Sequence, residues 1–325
     1  MSDNMYNIVH LQKMGFHRYC EDRMIVGNEN DRIILIAADG HGHDVYVRAK
    51  YGARFACYAA KKVLSDSDLD EATAEEKAER IKDVYDKTVA LHLARHPITE
   101  LEAEKADGTD PTLTYGTTLI AAVVTPEYTD VYKVGDGEVH IIDDDGILLE
   151  PLRADDICIG TQTSSIAQSK DKVMYSFRTA RYTNVAACIM FTDGCEGGLT
   201  DAIRALAHDS EVTVTDKLMT MLDKTDHGDD QTVLVAYKND KITDESFCNG
   251  IYGTISVLKK KRRAEAIKKQ NLEEYKQLCE YLRKALKKAS ELQRKNDPEF
   301  QVLMRKILIE HERMEYLKST LNIQN

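Results

Sequence analysis

The chain has 325 residues and 36.7 kDa, with 42% hydrophobic and 30% charged residues, globular proportions with room for about two domains. Its 17 glycines and 5 prolines exclude a collagenous or low-complexity polymer, and a net charge of −11 disfavours nucleic acid and anionic membrane as average partners. The average conceals a split: Ser256–Asn325 carries 18 Lys/Arg against 10 Asp/Glu, a net of +8, while residues 1–255 carry 26 against 45, a net of −19.

From the N-terminus, MSDNMYNIVHLQKMGF is polar where a signal peptide would place its apolar core, so secretion is not expected. The longest apolar runs, such as IILIAA and LIAAVV, fall far short of the ~18–20 residues of a membrane helix. Short runs rich in β-branched residues and bounded by Gly, Asp or Asn predict strands at residues 32–38, 117–124, 129–134, 139–143, 185–191 and 232–237. Two segments with helical spacing, Tyr46–Leu64 and Thr73–Ala94, predict surface helices, the second opened by the capping signal Thr73-Ala-Glu-Glu76. The three strand runs between residues 117 and 143 follow one another through short turns, which predicts consecutive antiparallel pairing rather than a doubly wound parallel sheet. The fold class expected is α+β, helices packed over antiparallel sheet.

Beyond about residue 255, Tyr275, Leu278, Leu282, Leu286, Ala289 and Leu292 recur at three- and four-residue steps, an amphipathic helix. Asn296-Asp297-Pro298 breaks it, and Leu303, Ile307, Met314, Leu317 and Leu321 continue a second stripe, so the tail is expected to be a helical hairpin. The expected domains are residues 1–250 and a basic helical extension at residues 255–325. The run Lys259–Arg263 would attract phosphate, but Glu265, Glu273, Glu274 and Glu280 dilute it, so nucleic-acid binding is not the expected role. Burial of the apolar stripe, against the body, itself, another copy or a partner, is expected instead. The seven cysteines (Cys20, Cys57, Cys158, Cys188, Cys195, Cys248, Cys279) are odd in number and lack CxxC spacing, which predicts reduced thiols and a cytoplasmic protein.

The chemistry-bearing residues are acids at strand ends beside glycine: Asp39 in Asp39-Gly40-His41-Gly42, Asp136 in Gly135-Asp136-Gly137, Asp193 in Thr192-Asp193-Gly194, and Asp229-Asp230 before the last strand. Glycine permits tight turns that bring carboxylates and a carbonyl to one point, and hard divalent ions such as Mg²⁺ or Mn²⁺ prefer such oxygen ligands. Any one Asp-Gly marks only a turn. Several after apolar strands point to a carboxylate-rich metal site.

At these residues the chain resembles the metal-dependent Ser/Thr protein phosphatases of type 2C in their bacterial form. Six motifs occur in family order across residues 15–237: Glu21-Asp22, Asp39-Gly40-His41-Gly42, Gly116-Thr117-Thr118, Gly135-Asp136-Gly137, Asp193-Gly194 and Asp229-Asp230-Gln231-Thr232. The resemblance implies two stacked antiparallel sheets flanked by helices, with a binuclear Mn²⁺ or Mg²⁺ centre at one end. It implies that Asp39 bridges both ions, with the Gly40 carbonyl on one of them. Asp193 and Asp229 would complete the first, Glu21 would reach the second, Asp22 would hold its waters, and Asp136 would serve a weaker third. His41 would be the general acid to the leaving alkoxide, with a metal-bound water as nucleophile and no covalent phosphoenzyme. The substrate implied is a phosphoserine or phosphothreonine protein, the product of a kinase.

One position departs from the family. It places an arginine four residues before the acidic residue, to fork onto the substrate phosphate, and here His17 holds that spacing and Arg18 follows. Either a bulge restores Arg18 or His17 substitutes. The polar segment from Leu149 to Tyr175 lies where the family carries a flap beside the active site. Rival readings are a pseudophosphatase presenting its C-terminal helices to a partner, motivated by the displaced arginine, and another two-metal phosphoesterase such as a nuclease, motivated by the basic run.

Overall fold

The computed structural model describes residues 6–16, 19–29, 32–149, 152, 163–195, 198, 202–203, 214–224, 228–238, 245–294 and 299–321. His17 and Arg18, the Asn296-Asp297-Pro298 break and most of the expected flap, residues 150–151 and 153–162, lie outside these. The chain divides into two compact units, Met1–Thr254 and Ile255–Asn325.

Among the described residues the first unit is built on ten strands: β1 Tyr6–Lys13, β2 Arg23–Glu29, β3 Arg32–Ala38, β4 Leu119–Val124, β5 Thr129–Val134, β6 Glu138–Asp143, β7 Leu148–Leu149, β8 Arg178–Tyr182, β9 Val185–Phe191 and β10 Gln231–Lys238. They form two five-stranded sheets, in the orders β1-β10-β9-β6-β7 and β2-β3-β4-β5-β8, and every pairing is antiparallel. The helices α1 Ala49–Leu64, α2 Ala74–Arg95, α3 Glu100–Ala106, α4 Lys170–Ser176 and α5 Val214–Lys224 flank them.

Period-two alternation assigns each strand face to a layer. In β3, Ile33, Leu35 and Ala37 point into the inter-sheet core with Ile120, Ala122, Val139, Met190 and Leu234. Its other face, Ile34, Ile36 and Ala38, meets Ala53, Ala56, Ala60 and Val63 of α1 and Ile81, Tyr85 and Val89 of α2. RIILIAA is therefore buried on both sides, and this is why it reads as an unbroken apolar run. Fully burying each such Ile or Leu contributes about 1.5–3 kcal/mol. The α2 capping box is present: the Thr73 hydroxyl accepts from the Glu76 N–H and the Glu76 carboxylate from the Thr73 N–H.

Three differences from the sequence reading bear on the site. The β4–β5 hairpin forms as expected, but β6 does not continue it; β6 crosses to the opposite sheet and pairs with β9 and β7. Gly135 makes the crossing possible. Its φ is +95°, and a side chain there would meet the Thr118 methyl at 2.6 Å. The 117–124 run also begins its ladder later, at Leu119, because Thr117 bridges to Gly40 instead. Helix α1 starts at Ala49 rather than Tyr46.

The helix α6 (Glu245–Arg294) starts ten residues before the expected extension at residue 255 and runs into the second unit, where it and α7 (Glu299–Thr320) pair through Leu282, Ala285, Ala289 and Ile307, with Phe300, Leu303, Met304 and Met314 around them. Leu286, expected in the buried stripe, is half exposed, and Ala285 takes that face. The side chains of Lys259–Arg263 lie outside the described residues. Among the described residues no helix is long and apolar enough to cross a membrane.

Candidate active site

A cleft of about 780 Å³ opens at one end of the sandwich, lined by Glu21, Asp39, Gly40, His41, Asp136, Asp193 and Asp229 together with His43, Thr163, Ser165 and Lys172. The sequence-predicted acids thus converge on one cavity, except Asp22, which lies buried behind its wall at 4% exposure. Arg18 falls outside the described residues. Each acid is brought there by the end of a strand.

Asp39 leaves the end of β3 and is stitched to the start of β4. Its N–H donates to Thr118 Oγ1 at 3.0 Å, and its carbonyl accepts from the Thr118 N–H at 2.8 Å and the Thr117 hydroxyl at 2.6 Å. Next, the His41 N–H donates to the Gly116 carbonyl at 3.1 Å, so Gly116-Thr117-Thr118 fixes the whole Asp39-Gly40-His41 turn. The Gly135 crossing carries Asp136 over the open end between the sheets, where its Oδ2 accepts from the Thr163 hydroxyl at 2.6 Å.

The adjacent ends of β9 and β10 supply Asp193 and Asp229. Gly194 must be glycine because a Cβ would come within 2.0 Å of the Asp230 carbonyl oxygen. Asp230, which sequence reading left without a role, organises the opposite wall. Its Oδ1 accepts from the Gly15 N–H at 2.8 Å, and its Oδ2 from the Glu21 N–H at 2.5 Å and more weakly from the Asp22 N–H at 3.4 Å. Asp22 Oδ2 accepts from the hydroxyls of Thr192 at 2.8 Å and Thr232 at 2.6 Å, whereas its buried Oδ1 has no partner. Thr192 and Thr232 could have been found as residues flanking the acidic motifs, but their shared target lies 170 and 210 residues away.

The electrostatics are those of crowded anions. Burial, then the charges of Asp22, Asp193 and Asp136, hold the Asp39 carboxyl well above the ordinary carboxylate value. Burial also raises Asp22 and Asp193. His41 is pushed below the ordinary imidazole value by burial, an effect Asp136 opposes; its ring packs 4.9 Å from Tyr46, and its Nε2 has no hydrogen-bond partner. Lys172, at the start of α4, is the one Lys or Arg among the described residues that line the cleft.

The donor set fits a hard divalent cation: oxygen donors only among the acids, mutual repulsion that a cation would relieve, and an unpartnered buried oxygen on Asp22. Among the described residues the His, Cys, Asp and Glu side chains do not already close into a cage of three or more around one point.

A family model described as protein phosphatase 2C matches residues 17–235. Among solved structures, a bacterial serine phosphatase is 16% identical with a TM-score of 0.52, covering 71% of this chain and 97% of its own. Serine/threonine phosphatase Stp1 from Staphylococcus aureus is 15% identical at a TM-score of 0.51, covering 72% of this chain and 95% of its own. The catalytic domain of serine/threonine protein phosphatase PstP, in complex with two manganese ions, is 17% identical at a TM-score of 0.50, covering 71% and 97%. These likenesses carry the fold. No match is found among curated proteins.

Proposed function

Because the chain belongs to the protein phosphatase 2C family, and is a protein serine/threonine phosphatase by that membership, we propose that its acidic cleft hydrolyses phosphoserine and phosphothreonine in proteins with two Mn²⁺ or Mg²⁺ ions and no covalent phosphoenzyme. The observation that supports this most directly is the convergence of Glu21, Asp39, Asp136, Asp193 and Asp229 on one cavity. Asp39 with the Gly40 carbonyl, Asp193 and Asp229 would hold one ion, with Asp39 shared by a second that Glu21 reaches. Asp22 would order the second ion's waters through the oxygen left unpartnered, and Asp136 would serve a weaker third ion. Bound ions would supply an activated water and neutralise the phosphoryl oxygens for in-line displacement.

The chain's own groups do the rest. His41 is the cleft imidazole whose Nε2 is uncommitted, and it delivers a proton to the leaving serine or threonine alkoxide. Lys172 gives the incoming phosphoprotein a positive point in a cleft that five acids line. Water rather than a side chain is the nucleophile. Of the four lining residues with hydroxyls, Tyr46, Thr109, Thr163 and Ser165, Thr163 is engaged by Asp136, and Ser165 accepts from the Thr117 N–H and donates to the Thr117 carbonyl. Among the described residues no thiol lines the cleft.

The test is hydrolysis of a phosphothreonine peptide by the purified protein in Mn²⁺, in Mg²⁺ and in EDTA, for wild type and Asp39→Asn. Metal-dependent turnover that the substitution abolishes supports the reading; turnover indifferent to EDTA and to Asp39→Asn overturns it.

A further inference from the structure

The second unit carries an apolar stripe that its own hairpin does not use. On α7 the buried Ile307 packs against Leu282, Ala285 and Ala289 of α6, yet Val302, Ile309 and Tyr316 are 59%, 65% and 69% exposed. These three recur every seven residues, a step that returns a helical position to within about 20° of the same face. They therefore form one line on the surface away from α6; Leu308, 60% exposed, lies about a quarter turn round the helix from it. Large apolar residues exposed singly are ordinary, whereas a line of them at heptad spacing, flanked by charged residues, has the pattern of a helix-pairing seam.

The stripe is symmetric about Ile309. Val302 lies seven residues before it and Tyr316 seven after, and Ile309 stands at the middle of the 22-residue helix Glu299–Thr320. Rotating a second α7 antiparallel about a two-fold axis at Ile309 sets Val302 against Tyr316 twice and Ile309 against itself, as an isologous interface requires. The charges obey the same operation. Arg305 and Glu312 sit on one edge of the stripe, four residues before and three after its centre, and both are exposed. The rotation brings Arg305 of each copy beside Glu312 of the other. A parallel pairing would place Arg305 beside Lys306 across the seam, and Glu312 beside Arg313, a guanidinium already held by Glu274. On the far edge of the antiparallel pair Lys306 faces Arg313, whose guanidinium already pairs with Glu274.

We propose that the second unit is a homodimerisation element, in which two copies of this chain join through antiparallel α7 helices centred on Ile309. Among the described residues the internal core of the hairpin is four buried residues and their rim, and a second hairpin laid on the stripe builds a four-helix arrangement with a larger one. This inference does not depend on the chemistry of the cleft.

Sedimentation equilibrium of the full chain over a concentration series tests it. The wild type is expected at twice 36.7 kDa, and Ile309→Asp at the monomer mass. Arg305→Glu and Glu312→Arg should each raise the dimer dissociation constant about tenfold, and the two together should restore it, because the reversed charges again face each other. Circular dichroism and the urea midpoint of every variant establish that the fold is kept, since all three positions are exposed. A wild type that is monomeric at every concentration, which would hand the stripe to a different protein, overturns the proposal. So does a dimer unaffected by Ile309→Asp, or a double reversal no better than either single one.

Discussion

The Asp230 carboxylate accepts the Glu21 backbone N–H at 2.5 Å, joining positions 209 residues apart and fixing where the first acid of the cleft stands. A second oxygen of the same carboxylate holds the Gly15 N–H, so one side chain ties the loop before β2 to the segment leaving β1. Replacing Asp230 by Ala leaves these backbone donors without their acceptor, at a cost of about 1–3 kcal/mol. Asp230→Asn keeps one acceptor oxygen and should lose less. The expected pattern is a lower urea midpoint for Asp230→Ala than for Asp230→Asn, with a higher Mn²⁺ concentration for half-maximal activity in both. Equal metal response in wild type and Asp230→Ala would remove Asp230 from the site.

Gly194 lies against the Asp230 carbonyl, with no room for a methyl group. Gly194→Ala must push apart the ends of β9 and β10, which present Asp193 and Asp229. A loss of about 2 kcal/mol or more in unfolding free energy is expected, and activity should fall even at temperatures where the variant is fully folded. Thermal and chemical denaturation, paired with turnover at saturating Mn²⁺, separate the two effects.

Much of this was legible in one sequence, for a physical reason. Central strands buried on both faces, such as β3 and β9, read as apolar runs, and the turns that end them need glycine beside an acid, so both the core and the cleft acids stand out. Sequence reading missed what depends on distant partners. Nothing in residues 129–143 says that β6 will leave its hairpin neighbour for the opposite sheet, because the choice is made by β9 and β7 and by the room Gly135 leaves. Asp230 looked like the lesser half of an Asp-Asp pair, since its three amide partners come from residues 15–22. The edge strands β1, β2 and β8 mix polar and apolar residues and carry a weaker signal, and Leu286 was misassigned because Ala285, one residue away, fits the close approach to α7.

Arg48, buried at the start of α1, anchors the outer layer. It donates to Glu102 through Nε and Nη2, both at 2.9 Å, to the carbonyls of His96 and Pro97, and to the Tyr115 hydroxyl at 2.7 Å. Arg48→Ala strands Glu102 and three acceptors, and a loss of about 3 kcal/mol is expected. Hydrogen bonding to Arg48 lowers the Glu102 carboxyl from 4.5 to about 2. A carboxyl depressed in the folded state gives stability that is present above its unfolded value and is lost as pH falls through the folded one. The wild type should therefore lose stability between about pH 4.5 and 2, by an amount reduced because Glu102 is partly exposed. Over the same range Glu102→Gln should show a shallower slope in pH-dependent denaturation.

Lys172 should act on binding more than on chemistry. Lys172→Ala is expected to raise KM for a phosphopeptide several-fold with little change in kcat, and Lys172→Glu to raise it further, since the cleft is already lined by five acids. Added salt should narrow the difference between wild type and variants by screening the charge. A change confined to kcat would place Lys172 in the chemical step instead.

His41 separates by leaving group. If its proton goes to the departing oxygen, His41→Ala should slow hydrolysis of a phosphoserine peptide by about 10²–10⁴-fold, the range for a lost general acid. The same variant should hydrolyse p-nitrophenyl phosphate with a much smaller loss, because nitrophenolate is a stable anion that departs without a proton. His41→Asn, which retains a hydrogen-bond donor but no titrating group, should resemble Ala on the peptide. Steady-state rates on both substrates for both variants decide the matter. Equal losses on the two substrates would mean that His41 serves to brace Tyr46 and the Gly116 turn, which its ring and backbone already touch, rather than to move a proton.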